Sequence, residues 1–219
     1  MSMGMVSGLV GGAVKSHISG TIAGMRQQRA DQQSAVDWED YNYPPWINVL
    51  HYHLGDVEDP AARSAVQWSH VNYIMCCATF ALNVLGCTAL AAGGVQWKGL
   101  HMVYAIFNLI IYAIVGMYSF YNGYKGLATQ NGRMTTNYIG LQSLFLVFMF
   151  AASIASGANY NGWANIGKAS DSEKMSGFWV AWTYTEASLW TVDFAVGAGA
   201  LYKVVTSRKD AYGSRGGGA

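Results

Sequence analysis

Charge is scarce in this chain. Lys, Arg, Asp and Glu make up 11% of its 219 residues, against about a quarter in a typical soluble domain. A net charge of +1 and the lack of any basic tract argue against a nucleic-acid partner. Cysteine is equally sparse, and Cys76, Cys77 and Cys87 all fall within one apolar stretch. Loops stapled by disulfides are thereby excluded, and with them large classes of receptor and junction ectodomain. The three prolines, Pro44, Pro45 and Pro60, precede that stretch, so no later segment carries the Pro-broken half-helices of a secondary transporter. No Gly-rich phosphate loop opens a helix and no nucleophile elbow is present, so neither an enzyme nor a bound cofactor is expected. His51 and His53 flank Tyr52 without the spacing of a metal site and are assigned to a polar surface layer.

What the chain has in abundance is long apolar runs. They cover residues 68–92, 99–121, 134–157 and 175–205, each at or above the ~20 residues that cross a bilayer core of ~30 Å. The expected fold is all-α: a four-span transmembrane antiparallel helix bundle over residues 68–209, joined by short connections. Around it lie an N-terminal segment (1–37), a cytosolic juxtamembrane collar (38–67) and a C-terminal tail (210–219). Residues 122–133 are expected as a cytosolic loop and 158–174 as the longest external segment. Lys15, Arg26, Arg29, Arg63, Lys125, Arg133, Lys203, Arg208, Lys209 and Arg215 would then face one side, leaving only Lys98, Lys168 and Lys174 on the other. The positive-inside rule puts both termini in the cytosol. Lys125, Arg133, Lys203, Arg208 and Lys209 sit where anionic lipid adds about 1 kcal/mol per charge, although the same residues also serve simply to set topology.

The N-terminal segment repeats Val6, Leu9, Val10, Ala13, Val14, Ile18, Ile22 and Met25 on one helical face, opposite Gly, Ser and Lys15. Lys15 lies inside it and no basic stretch precedes it, so it is not expected to be a signal peptide. Its glycines, each costing about 1 kcal/mol of helix stability relative to Ala, leave three readings open: a flexible tail, a helix lying on a curved membrane surface, or a packing helix.

Glu186 and Asp193 are the only acids inside any span. A charge at that depth costs about 2.5 to 3.5 kcal/mol on insertion scales, so such residues face the bundle interior. Seven residues is about two turns, placing both on nearly one face. Asn83 and Asn108 are the polar residues of neighbouring spans at a depth comparable to Glu186 that could pair with it. Two readings follow: interhelical hydrogen bonds of about 1 kcal/mol each, or a proton or ion pathway through a small permease. Cys76 and Cys77 read as buried small residues.

The least generic stretch is 38–60, WEDYNYPPWINVLHYHLGDVEDP. Pro44 and Pro45 predict an extended entry to the bundle. The element Asn42-Tyr43-Pro44-Pro45-Trp46, followed by Tyr52-His53 and then Val57-Glu58 and Pro60, resembles a pattern of the secretory carrier membrane proteins. Leu82-Asn83-Val84-Leu85-Gly86-Cys87 and Gly162-Trp163 match further elements of that family at similar spacing, so the resemblance runs from about Asn42 to Arg208. It implies a four-span, non-enzymatic vesicle protein of post-Golgi, endosomal and recycling membranes, and of the plasma membrane. The partners it implies are membrane lipids including phosphoinositides, vesicle-trafficking proteins and a second copy of the chain as a homo-oligomer. The departures are specific. The family's Asn-Pro-Phe repeats and N-terminal coiled coil are absent, and residues 120–127 keep the aromatics and Lys125 but lack the family's Arg and Pro. The synaptophysin type of four-span protein fits less well, because it carries lumenal cysteines.

Overall fold

A computed structural model describes residues 36–156 and 159–213, with side chains through Arg208. The expectations for residues 1–35 and for the end of the tail lie outside the described residues. The chain divides into two compact units that part between Tyr52 and His53.

Every regular element among the described residues is helical. These are α1 (Pro60–Ala92), α2 (Lys98–Ala128), α3 (Gly132–Ile154), the short α4 (Ile166–Ser170) and α5 (Ser176–Gly213). Single 3-10 turns lie at Leu54–Asp56 and Trp163–Asn165. Local sequence sets the helix ends. Asp59 accepts a hydrogen bond from Ala62 N at 2.8 Å and Pro60 occupies the first turn, so α1 starts eight residues before its apolar run. Asn131 caps α3 by accepting from the amides of Arg133 and Met134.

α1, α2 and α3 are long and apolar enough to cross a membrane. α5, which carries Glu186 and Asp193, is longer still but is not among them. It nevertheless runs antiparallel along α1. Lys203 Nζ donates to Ser64 Oγ at 3.1 Å, Asn72 Nδ2 to the Asp193 carbonyl at 3.2 Å, and Asn83 Nδ2 to Glu186 Oε1 at 2.7 Å. From Ser64 to Asn83 that pairing spans about 29 Å of helix. The bundle centre is aromatic: Phe80 lies 4.8 Å from Tyr112 and 5.0 Å from Trp190, ring centre to ring centre. The outer faces carry exposed Phe107, Ile111, Ile114, Leu144 and Val147, a belt suited to lipid.

Several connections differ from the expectation. Residues 122–128, expected as cytosolic loop, continue α2, leaving Thr129, Gln130 and Asn131 between α2 and α3. The cause is packing: Phe120 and Tyr124 are buried, Gly123 lies under the Tyr138 ring, and a Cβ on Gly126 would come 2.7 Å from the Thr135 amide nitrogen. The segment expected to be external contains α4, and α5 extends to Gly213 into the expected tail. In the N-terminal unit, Pro44 and Pro45 do not extend the chain but reverse it. Pro44 O accepts from the amides of Ile47 and Asn48, and Tyr43 and Leu50 form an antiparallel bridge. Asn42 Oδ1 accepts from Tyr52 N at 2.9 Å, closing the turn, while Trp46 at its tip is 99% exposed.

Candidate functional site

The best-built polar site is assembled around Glu186, whose side chain is buried. Its carboxyl group receives five N–H donors. Asn83 Nδ2 (2.7 Å), Asn161 N (3.0 Å) and Trp190 Nε1 (3.3 Å) reach Oε1, and Asn161 Nδ2 (2.7 Å) and Trp182 Nε1 (3.2 Å) reach Oε2. This donor set suits the acceptor-only inventory of a carboxylate. Trp182 and Trp190 lie four residues before and after Glu186, where a helix brings side chains onto one face. Asn161 comes from the connection between α3 and α5, which enters the mouth of the bundle. Its Oδ1 accepts from Trp179 Nε1 (2.9 Å), Asn165 Nδ2 (3.0 Å) and the buried Lys98 Nζ (3.3 Å). Lys98 also sits 4.7 Å from the centre of the Trp179 ring. One asparagine thus bridges a cation and a carboxylate contributed by different helices. In the sequence Lys98 is indistinguishable from the other lysines expected outside the membrane.

Two short motifs acquire physical reasons here. In Leu82-Asn83-Val84-Leu85-Gly86-Cys87, Asn83 holds Glu186 and also donates to the Asn159 carbonyl at 2.6 Å. Cys87 Sγ donates to that carbonyl at 3.4 Å, and a Cβ on Gly86 would sit 1.9 Å from Trp182 Nε1. Gly86 is therefore the gap through which Trp182 reaches Glu186. In Gly162-Trp163, a Cβ on Gly162 would lie 2.4 to 2.5 Å from the backbone of Ala155 and Ala152, so only glycine lets the loop press against α3.

Asp193 is the contrasting case. It is fully buried, and no donor meets full hydrogen-bond geometry at either carboxyl oxygen, although the Thr79 hydroxyl and the Cys76 thiol lie close enough to interact with it. Near it, Asn72 Nδ2 donates to its backbone carbonyl and Gln142 Nε2 donates to Asn72 Oδ1 at 2.8 Å. Asn108 does not pair with Glu186, contrary to the expectation: its Nδ2 donates to Tyr160 Oη at 2.6 Å, a side chain of the inserted loop.

The opposite end of the bundle holds the second family element. Tyr124 Oη donates to Asp56 Oδ2, accepts from His53 N at 3.2 Å, and lies 3.3 Å from the His53 carbonyl. His53 Nδ1 is 3.5 Å from Asp56 Oδ1 and Arg63 Nε donates to the Val57 carbonyl at 3.0 Å. Glu58 is exposed, and Pro60 starts α1. At this end Lys125 Nζ lies over the Tyr121 ring and Lys203 Nζ over the Trp68 ring, Arg133 is exposed and Arg208 is half-buried. Lys209 lies beyond the described side chains.

Long apolar helices, a lipid-suited outer belt and an interior of matched polar groups define an integral, multi-pass helical membrane protein. The SCAMP family model matches residues 40–211, and the chain belongs to that family. No curated protein and no solved structure matches the chain significantly.

Proposed function

We propose that this protein is a non-enzymatic, four-span component of post-Golgi, endosomal and recycling transport vesicles, acting in vesicle trafficking with both termini in the cytosol. The observation that carries the reading is the family match over residues 40–211. The antiparallel contact of α5 with α1 over about a bilayer's thickness supports α5 as the fourth span. With that topology, Lys125, Arg133, Lys203, Arg208 and Lys209 face anionic cytosolic lipid, phosphoinositides included. Trafficking proteins and a second copy of the chain are the protein partners of this reading. The test is colocalisation of the tagged full-length protein with post-Golgi and endosomal markers, combined with protease protection of each terminus. Confinement to an organelle outside the secretory and endocytic system, or a protected terminus, overturns it.

A second reading, a small proton- or ion-coupled permease, draws on Asp193, whose buried oxygens meet no N–H donor. It expects gradient-driven flux in proteoliposomes that Asp193→Ala abolishes. Flux absent, or unchanged in the variant, removes it.

A further inference from the structure

The end of the bundle formed by the C-terminus of α1 and the N-termini of α2 and α5 forms an open cavity of about 700 Å³, a size suited to a small ligand or a lipid headgroup. Lys98, Lys168 and Lys174 all line it, together with His101, and Glu173 is the one acid among its lining residues. The three lysines come from different places: the first turn of α2, the short α4, and the segment leading into α5.

Packing holds them there. Ala169 of α4 is buried against Leu90, Val95 and Trp179, which fixes its neighbour Lys168 beside the mouth. Gly94 has φ +75, and a Cβ there would lie 3.0 Å from Lys174 Nζ, so a left-handed glycine lets the Lys174 side chain cross the α1 to α2 turn. Lys98 is 3% exposed and forms the back wall. Its Nζ uses one donor on Asn161, and an ammonium has three.

The positive charge of the cavity is not cancelled. Three lysines face the single carboxylate of Glu173 there, although burial lowers the pKa of the Lys98 ammonium. Glu186 offsets Lys98 in part from below. Among the described residues, neither Lys168 nor Lys174 has a carboxylate within ion-pair distance. His101 Nδ1 is buried without a partner. The N-terminus of the 31-residue α2 has no side-chain cap, and its dipole adds to the positive field.

We propose that this cavity binds a phosphate-bearing anion, held by Lys168 and Lys174 at its mouth with Lys98 and His101 behind them. A tetrahedral anion accepts point donors converging from several directions, whereas a planar carboxylate is better matched by the guanidinium fork, which the cavity lacks. The phosphate can belong to the headgroup of an anionic lipid in the adjacent leaflet or to a soluble phosphorylated molecule.

The experiment uses the full-length protein in phosphatidylcholine nanodiscs. One arm titrates inorganic phosphate calorimetrically. The other dopes the discs with phosphatidic acid and counts retained lipid by native mass spectrometry. Binding of phosphate in plain discs points to a soluble ligand, and retention of phosphatidic acid alone points to a headgroup. In either arm, the paired variant Lys168→Gln, Lys174→Gln is expected to weaken binding at least about tenfold, with the unfolding midpoint unchanged because both side chains are exposed. Glu173→Gln, which removes the opposing charge, is expected to strengthen it a few-fold. Failure of both probes to bind, wild-type affinity in the paired lysine variant, or weaker binding by Glu173→Gln overturns the proposal.

Discussion

Glu186 and Asp193 lie two turns apart on α5 and are both buried, yet Glu186 receives five N–H donors while neither oxygen of Asp193 meets one. The difference begins in the local sequence. Positions four residues either side of Glu186 are Trp182 and Trp190, whose indole N–H groups reach its oxygens. The same positions around Asp193 are Leu189 and Gly197, which offer no side-chain donor. Tertiary structure widens the gap. The inserted loop delivers Asn161 to the Glu186 level, whereas around Asp193 the amide of Asn72 is directed to a backbone carbonyl. Buried acids at similar depth therefore need not share a role. One is held by a full set of donors, and the other is not.

The sharpest way to break this contrast is Glu186→Ala, which strands five donors in the bundle interior. We expect a loss of ~3 to 5 kcal/mol, the scale for removing one partner of a buried polar network, read as a lowered unfolding midpoint of the purified protein in detergent. A midpoint within error of wild type means that the clamp does not hold the fold. Gly162→Ala tests whether the loop must reach Glu186 by its observed path. With α3 backbone atoms 2.4 to 2.5 Å from the new Cβ, overpacking is expected to cost ~1 to 3 kcal/mol in the same assay. The smallest effect is expected from Asp193→Asn. An amide costs less to bury than an acid that no N–H donor meets, so the midpoint should stay at wild type or rise by the equivalent of ~1 kcal/mol. A fall comparable to that of Glu186→Ala would show that the two acids are equivalent after all.

The helices were largely legible from hydrophobic run length, because apolar periodicity and span length are local properties. The extra turns of α1 follow from Asp59 and Pro60, which are recognisable start signals. The continuation of α2 through residues 122–128 was not legible. Gly123 and Gly126 look like loop residues until the rings and backbone they accommodate are seen. For the site, Glu186, Asp193 and Asn83 stood out because polar residues inside apolar runs are costly and therefore conspicuous. Asn161 and Lys98 did not, since a polar residue in a loop or at a helix start carries no such penalty. The Trp-x-x-x-Glu-x-x-x-Trp spacing at 182–190 was present in the sequence, but interfacial anchoring explains such aromatics equally well until their indole nitrogens are located.

The clamp on Glu186 also bears on biogenesis. Its acceptor sits on the last long helix, while its donors Asn83 and Asn161 lie earlier in the chain. In order of synthesis, Asn83 is made before its acceptor Glu186, and Lys98 before its acceptor Asn161. The contact of α5 with α1 therefore completes this hydrogen-bond set, and a chain interrupted before Glu186 would leave Asn83 without its carboxyl partner.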